Sequence, residues 1–194
     1  RDVLGSRGLG DVYKRQIKMS VDPEKASTFT LNVRIPGWAR GIENPYGLYT
    51  SDLKSDIELK VNGEAISVDP VNGYVAINRK WNKGDKVELL LPMQPRFIKA
   101  NPAVETLKDM ATIASGPIVY CLEGCDNQDL SDLKLNTNIP MSMGYSSELL
   151  KGINVIKGKA LDAKGQEVTV SAIPYYAVGN REEGEPYKVW IPVK

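Results

Sequence analysis

The sequence predicts an all-β chain: two antiparallel β-sandwich domains in tandem, jelly-roll-like in kind. Three observations carry that expectation. From Ile17 onward the apolar residues recur with a period of two, the signature of half-buried strands. Turn signals built on Asn-Gly, Gly and Pro punctuate the chain roughly every 8–12 residues, the spacing of sandwich strands. No segment sustains a helical period for more than about two turns.

Taken in order, Thr28–Ile35 sets Phe29, Leu31, Val33 and Ile35 on one face and Thr28, Thr30, Asn32 and Arg34 on the other. Pro36-Gly37 stops that strand, since proline cannot donate to a ladder. Trp38 follows at the turn. Residues 40–55 are polar and read as a long loop, a class of segment that is usually functional or packed on a neighbour. Ile57–Val61 alternates again and runs into Asn62-Gly63, the strongest short hairpin signal, with Ala65–Val68 as the return strand. A second Asn-Gly, Asn72-Gly73, introduces a strand at Tyr74–Asn78. Arg79–Asp85 reads as a turn carrying Trp81, and Lys86–Leu91 as a strand ended by Pro92.

Met93–Lys108, with Pro95 and Pro102, reads as a connector between the domains. Beyond it, Met110–Ala114 and Ile118–Leu122 are apolar at nearly every position, as strands covered on both faces are. They meet at Ser115-Gly116-Pro117. Cys125–Gly144 reads as loop with a single turn at Asp129–Leu133, and Glu148–Leu150 as another short turn. Ile153–Ile156, Lys159–Leu161 and Glu167–Ile173 read as strands. Pro174-Tyr175-Tyr176 forms an aromatic corner, Gly179–Glu185 a charged loop, and Tyr187–Ile191 the closing strand. The expected domains are 17–96, incomplete at its start, and 97–194. Residues 1–16 fit neither and read as a non-native scar or a disordered lead, so the natural N-terminus, with any leader or upstream domain, is expected to lie outside this sequence.

Composition narrows the function. A chain of 194 residues buries about 70% of its unfolded surface and needs no disulfide or metal staple. Its 25 basic and 24 acidic residues leave a net charge of +1, which gives no general pull on phosphate, so nucleic acid is not an expected partner. No apolar run approaches the ~20 residues of a membrane span, so no membrane partner is expected either. The absence of histidine removes Ser-His and Cys-His nucleophile pairs, His-ligated metals and His general bases together. Glycosidase chemistry, which needs only two carboxylates, survives that filter.

Several motifs occur in a fixed order. They are Arg34-Ile35-Pro36-Gly37-Trp38-Ala39, Val61-Asn62-Gly63, and Gly73-Tyr74 with Arg79-Lys80-Trp81 and Gly84-Asp85. Gly116-Pro117-Ile118-Val119-Tyr120-Cys121-Leu122-Glu123 follows, and then Ile173-Pro174-Tyr175-Tyr176 with Asn180-Arg181 and Val189-Trp190-Ile191-Pro192. Over residues 17–194 this series resembles the C-terminal, non-catalytic portion of glycoside hydrolase family 127, the bacterial β-L-arabinofuranosidases. The resemblance implies an upstream helical six-hairpin barrel. That barrel would carry a cysteine nucleophile bound to zinc by neighbouring cysteines and a glutamate, and a glutamate acid/base. The adjacent cysteine pair that marks the nucleophile is absent here, so no catalytic residue, no metal ligand and no cofactor is assigned to this chain. The implied partners are a catalytic domain in cis, a second copy in a homodimer, and plant-type arabinose-containing glycans. The implied home is a bacterial cytoplasm or periplasm.

The residues that could carry chemistry are few. Cys121 and Cys125 would lie about 13 Å apart along an extended strand, beyond the ~7 Å reach of a disulfide, and read as two ordinary thiols with Cys121 in the core. Glu123 ends an apolar strand, with Asp126 and Asp129 as mates by proximity; a hydrogen-bonded structural carboxylate is the favoured reading over a catalytic one. Trp38, Tyr46, Tyr175 and Tyr176 are the candidates for stacking on sugar, the alternative function being an independent carbohydrate-binding module. Trp190 is expected in core or interface. Arg34 and Arg181 read either as solvated charges or as salt-bridge partners of the upstream barrel that the resemblance implies.

Overall fold

The computed structural model describes residues 14–44, 46–53, 56–181 and 184–194. Most of the 1–16 lead lies outside these residues, as do positions 45 and 54–55 of the long loop and 182–183 of the charged loop. The described chain is strand, turn and short 3-10 segments, and every ladder between its strands is antiparallel. It divides into two compact units. The first takes the described residues up to Arg40 and from Asp56 to Met93; the second takes Gly41–Leu53 and everything from Gln94.

The first unit is a sandwich of a four-stranded and a two-stranded sheet. Strands β1 (Lys14–Val21), β7 (Asp85–Pro92), β4 (Glu58–Val61) and β5 (Glu64–Ile66) lie in that order in one sheet. Strands β2 (Ser27–Arg34) and β6 (Tyr74–Trp81) form the other. Alternation decides which side chains meet. Leu59, Val61, Val87, Leu89 and Leu91 come from the first sheet, and Val33, Val75, Ile77 and Trp81 from the second; together with Ile35 and Ala39 they make one core. Burying a large aliphatic side chain is worth about 1.5–3 kcal/mol, so this core, rather than the ladders, supplies most of the unit's stability.

Two local features set the register. Asn62 and Gly63 have φ of 52° and 84°, the double left-handed turn that matches the twist of a two-residue hairpin between β4 and β5. Asn72 and Gly73 repeat that conformation, at 50° and 86°, at the entry to β6. The expected turn over Arg79–Asp85 is shorter than the sequence suggests. β6 runs on to Trp81, which is fully buried and donates its indole N–H to the Phe29 carbonyl at 3.0 Å. Only Asn82–Gly84 turns, because the ring needs the strand to carry it into the core. β1 likewise begins three residues before Ile17.

The second unit holds β3 (Tyr49–Ser51), β8 (Pro95–Ala100), β9 (Met110–Ser115), β10 (Ile118–Glu123), β11 (Lys134–Leu135), β12 (Ser142–Ser146), β13 (Ile153–Leu161), β14 (Glu167–Pro174), β15 (Tyr187–Lys188) and β16 (Ile191–Pro192). The ladder runs β11-β13-β14-β10-β9-β8-β3, with β12 on β13, β15 on β10 and β16 on β9. A bridge between Leu135 and Val193 brings β11 beside the end of β16, so the sheet closes over its own core. Ala111, Ile113, Tyr120, Leu122, Leu135, Ile156, Val170 and Ile191 fill that core. Cys121, Ile153, Ile173 and Ala177 form a second cluster on the other face of β10. Two clusters on opposite faces explain why β10 reads as an unbroken apolar run.

Five sequence expectations change here. The connector over Met93–Lys108 contains β8, which pairs with β9 despite Pro95 at its start. The long loop contains β3, which pairs with β8 and so attaches residues 41–53 to the second unit. The two strands expected at 153–156 and 159–161 are one, β13, because Gly158 lies in ladder register with Val170 and interrupts nothing. The closing strand is two short ones, β15 and β16, pairing with different partners across a bend at Val189-Trp190. Cys125–Gly144, expected as loop, also contributes β11 and the start of β12.

Candidate functional site

The charged groups with the most built surroundings lie in the second unit, at the two ends of the β9–β10 pair. At one end, Gly116 takes φ 54° at the first central position of the Ser115–Ile118 hairpin, and Pro117 holds the second. Arg96 on β8 reaches this turn, donating from Nη1 to the Gly116 carbonyl at 2.9 Å. Its other nitrogens form a fork with Glu43: Nε to Oε1 and Nη2 to Oε2, both at 2.7 Å. Ser51 adds a hydroxyl donated to Oε1 at 2.5 Å. Both charged side chains are nearly sealed, at 6% and 5% exposure. Burial works to raise the Glu43 pKa, but the Arg96 and Ser51 hydrogen bonds and the Arg96 charge outweigh it, and the net shift is downward.

At the other end, Glu123 closes β10 and is 2% exposed. Its Oε1 accepts the Gly179 N–H at 2.7 Å, and its Oε2 accepts Arg181 Nε at 3.1 Å and Arg181 Nη2. The same guanidinium donates to Asp126, Nη1 to Oδ1 at 2.8 Å and Nη2 to Oδ2 at 2.6 Å. The Asp126 hydrogen bonds, with those of Glu123 against some desolvation, push the Arg181 pKa above its ordinary value. Asn127, 5% exposed, staples the turn below. Its Nδ2 donates to the Glu123 and Ser171 carbonyls at 2.8 and 2.9 Å, and its Oδ1 accepts the Ser171 N–H at 2.8 Å.

This arrangement decides what Glu123 can do. A glycosidase acid or base needs a carboxyl edge turned toward a substrate and free to exchange a proton. Both oxygens of Glu123 are committed to donors, and its neighbour Asp126 shares the same guanidinium. The geometry is that of a structural ion triad. Asp129 stands apart from it, on a shallow hollow of about 340 Å³ lined also by Asp126, Gln128, Asp162 and Thr169.

Glu123, Cys125 and Asp126 place ligand-type atoms within 4.8 Å of one another. Arg181 bonds both carboxylates and already supplies the cation there, so this donor set does not fit a zinc ion. Cys121 and Cys125 are free thiols, the first buried and the second exposed. Burial, reinforced by the Glu123 charge, pushes the Cys121 thiol up to about 12, which leaves it far from a thiolate nucleophile at neutral pH.

The aromatic candidates do not share one unit. Trp38 is half-buried on the 3-10 turn Gly37–Arg40 and packs against the core of the first unit. Tyr46, Tyr175 and Tyr176 belong to the second and are exposed at 83%, 45% and 68%. Tyr175 leans on Tyr187 with ring centroids 6.0 Å apart at 47°, so the pair makes a ridge instead of a flat platform. Trp190 is half-buried and lies beside Tyr49, centroids 5.7 Å apart. Arg34 is held over the Tyr74 ring at 5.7 Å.

Sequence reasoning did not find Arg96, Glu43 or Asn127. Glu43 and Arg96 are 53 positions apart, and neither sits in a pattern that marks it as buried. Glu123 and Arg181 were both singled out, but nothing local pairs them across 58 positions.

Known proteins account for nearly the whole described chain. The family model described as "Beta-L-arabinofuranosidase, GH127 middle domain" matches residues 13–93. The model described as "Glycoside hydrolase family 127 C-terminal domain" matches residues 95–192. A non-reducing end beta-L-arabinofuranosidase of Bifidobacterium longum subsp. longum is 30% identical over 182 residues, covering 82% of this chain and 25% of the relative. A solved GH127 beta-arabinofuranosidase superposes with a TM-score of 0.82 at 36% identity, over 96% of this chain and 31% of that one. The GH127 beta-L-arabinofuranosidase of Geobacillus stearothermophilus T6 gives 0.80 at 35%, over 94% and 29%. The chain thus spans between a quarter and a third of the length of these relatives. With two domain models matching end to end and the fold shared at more than 30% identity, the chain belongs to glycoside hydrolase family 127 and carries that family's middle and C-terminal domains.

Proposed function

We propose that this chain is the non-catalytic β-sandwich portion of a β-L-arabinofuranosidase-like glycoside hydrolase, supporting a helical catalytic domain in cis and offering an oligomer surface. The observation that carries this reading is the span of the family match: middle and C-terminal domains, with most of each relative's length outside it. The chemistry of the chain agrees with it. The most deeply placed carboxylates, Glu43 and Glu123, are neutralised by arginines and bonded at both oxygens. Zinc and the sugar-cleaving residues belong, on this reading, to the catalytic domain, and the arabinose-containing glycan is that domain's substrate.

The test is hydrolysis of an aryl β-L-arabinofuranoside by the purified chain. The expected result is no release of the aryl group above the protein-free blank; turnover at the level of an ordinary enzyme, about 1–1,000 per second, would sink the proposal. A second reading, an independent carbohydrate-binding module, draws on the exposure of Tyr46, Tyr175 and Tyr176. Affinity electrophoresis through arabinose-rich polysaccharide separates the two. Retardation abolished by Tyr176→Ala or Trp38→Ala would favour the module, and unretarded migration favours the support.

A further inference from the structure

The two Asn-Gly turns of the first unit have nearly the same backbone conformation and very different surroundings. Asn62 is locked. Its Nδ2 donates to Asp85 Oδ1 at 3.0 Å, its Oδ1 accepts the Lys86 N–H at 2.8 Å, and its own N–H donates to the Lys86 carbonyl at 2.8 Å. The hairpin it turns is continued by a three-pair ladder between β4 and β5. Asn72 is exposed, and among the described residues no partner holds its side-chain amide. Its turn is closed by one isolated bridge, Val71 to Tyr74, with N–H···O distances of 2.9 and 3.0 Å.

We infer that Asn72 is a site of spontaneous deamidation in the folded protein, and that Asn62, in the same dipeptide, is protected. Glycine at the next position leaves no side chain in the way when the Gly73 nitrogen approaches the Asn72 side-chain carbonyl carbon. The nitrogen gives its proton to solvent and bonds to Asn72 Cγ. The bond from Cγ to Nδ2 breaks, and ammonia leaves with a proton from water. Water then opens the cyclic imide at either carbonyl, giving aspartate or, with the chain routed through Cβ and Cγ, isoaspartate. The net change is one water consumed and one ammonia released.

The surroundings favour the step at Asn72. Arg40 places Nη2 3.7 Å from where a Cβ on Gly73 would stand, and its Nε is buried with no hydrogen-bond partner. A cation beside the Gly73 peptide stabilises both the anionic nitrogen and the oxyanion that follows. At Asn62 the same approach requires both side-chain hydrogen bonds to break first. The product has structural consequences. Gly73 is buried and its carbonyl accepts the Ile35 N–H at 2.8 Å, so an extra main-chain carbon at 72 displaces the β2–β6 entry.

The experiment incubates the intact chain at mildly alkaline pH and follows both residues by fragmentation of the tryptic peptide Val61–Arg79 that contains them. Conversion at Asn72 is expected to run about thirtyfold faster than at Asn62, the rate ratio equivalent to the two side-chain bonds at about 1 kcal/mol each. In denaturant the two rates are expected to converge, since the dipeptide is the same. Equal native rates, a faster Asn62, or an Asn72 that stays intact while the denatured chain converts would each overturn the inference. A gap that persists in denaturant would overturn its structural cause. Isoaspartate carboxyl methylation of the aged protein, absent from Asn72→Gln, identifies the product.

Discussion

The two units of this chain are held by different kinds of interaction. In the first, the signals that set each element are local, an Asn-Gly hairpin and strict alternation, although its ladders join distant strands, β1 with β7 and β2 with β6. In the second, the decisive contacts join residues 53 and 58 positions apart, Arg96 with Glu43 and Arg181 with Glu123. One arginine grips the Gly116 turn where the β9–β10 pair begins, and the other grips Glu123 where it ends. A β pair this apolar is hydrophobic on both faces and gains little specificity from its own side chains. Charged clamps at its two ends fix where the flanking segments cross it. Locally coded sandwiches and clamp-coded ones should therefore fail in different ways.

The largest expected effect is in the first unit. Trp81→Ala removes the largest fully buried side chain and its hydrogen bond to Phe29, and should cost about 3–5 kcal/mol. Hydrogen exchange across β6 and β7 would report the loss. Arg96→Ala should cost the second unit a comparable amount, about 3–5 kcal/mol, because it strands Glu43 as a buried charge. Denaturant unfolding together with exchange in β8–β10 measures this. A loss below about 1 kcal/mol would place the pair with exposed ion pairs and break the comparison. Arg96→Ala with Glu43→Gln should recover part of the loss, since an amide is cheaper to bury than an unpaired carboxylate.

Arg181→Lys is expected to be milder, about 1.5–3 kcal/mol. The charge remains, but an ammonium cannot present the planar fork that serves Glu123 and Asp126 together. Protection of the Gly179 amide, which donates to Glu123, gives a local readout.

The pH dependence follows from Glu43. Its folded pKa lies below the ordinary 4.5, so its contribution is fully present above that value and is lost as pH falls through the lowered folded pKa. Acid unfolding of the second unit should accordingly lose its Glu43 component in Glu43→Gln, flattening the stability profile below about pH 4.5.

What was legible in the sequence follows the same division. Five of the six strands of the first unit and both Asn-Gly turns can be read directly, because a period of two and a left-handed dipeptide are local signals; β1, which starts inside the 1–16 lead, is not named as a strand by the sequence. The sequence places Trp81 in a turn, since Arg79-Lys80 beside it looks solvated; in the structure Arg79 lies over the indole at 5.3 Å. In the second unit the apolar β9 and β10 stood out, but β8, β3 and β11 did not. Pro95 masked the first, and the other two are too short to show alternation. Glu123 was legible as a strand-end carboxylate with a structural role. Its partner's position was not, because the pairing depends on where a loop returns after more than fifty residues.

The smallest effect sharpens the contrast within the first unit itself. Asn62→Ala and Asn72→Ala carry the same backbone cost, a non-glycine residue moved from asparagine to alanine at φ near 50°. Any difference between them is therefore the worth of the Asn62 side chain. Its two hydrogen bonds, to Asp85 and from Lys86, should make Asn62→Ala the more costly by about 2 kcal/mol, at about 1 kcal/mol each. Equal losses in denaturant midpoint would mean that the hairpin is set by the dipeptide alone. A larger loss at Asn62 would mean that a contact 23 residues away in sequence already helps to hold this most local of turns. The first unit would then use, in weaker form, the same device as the second.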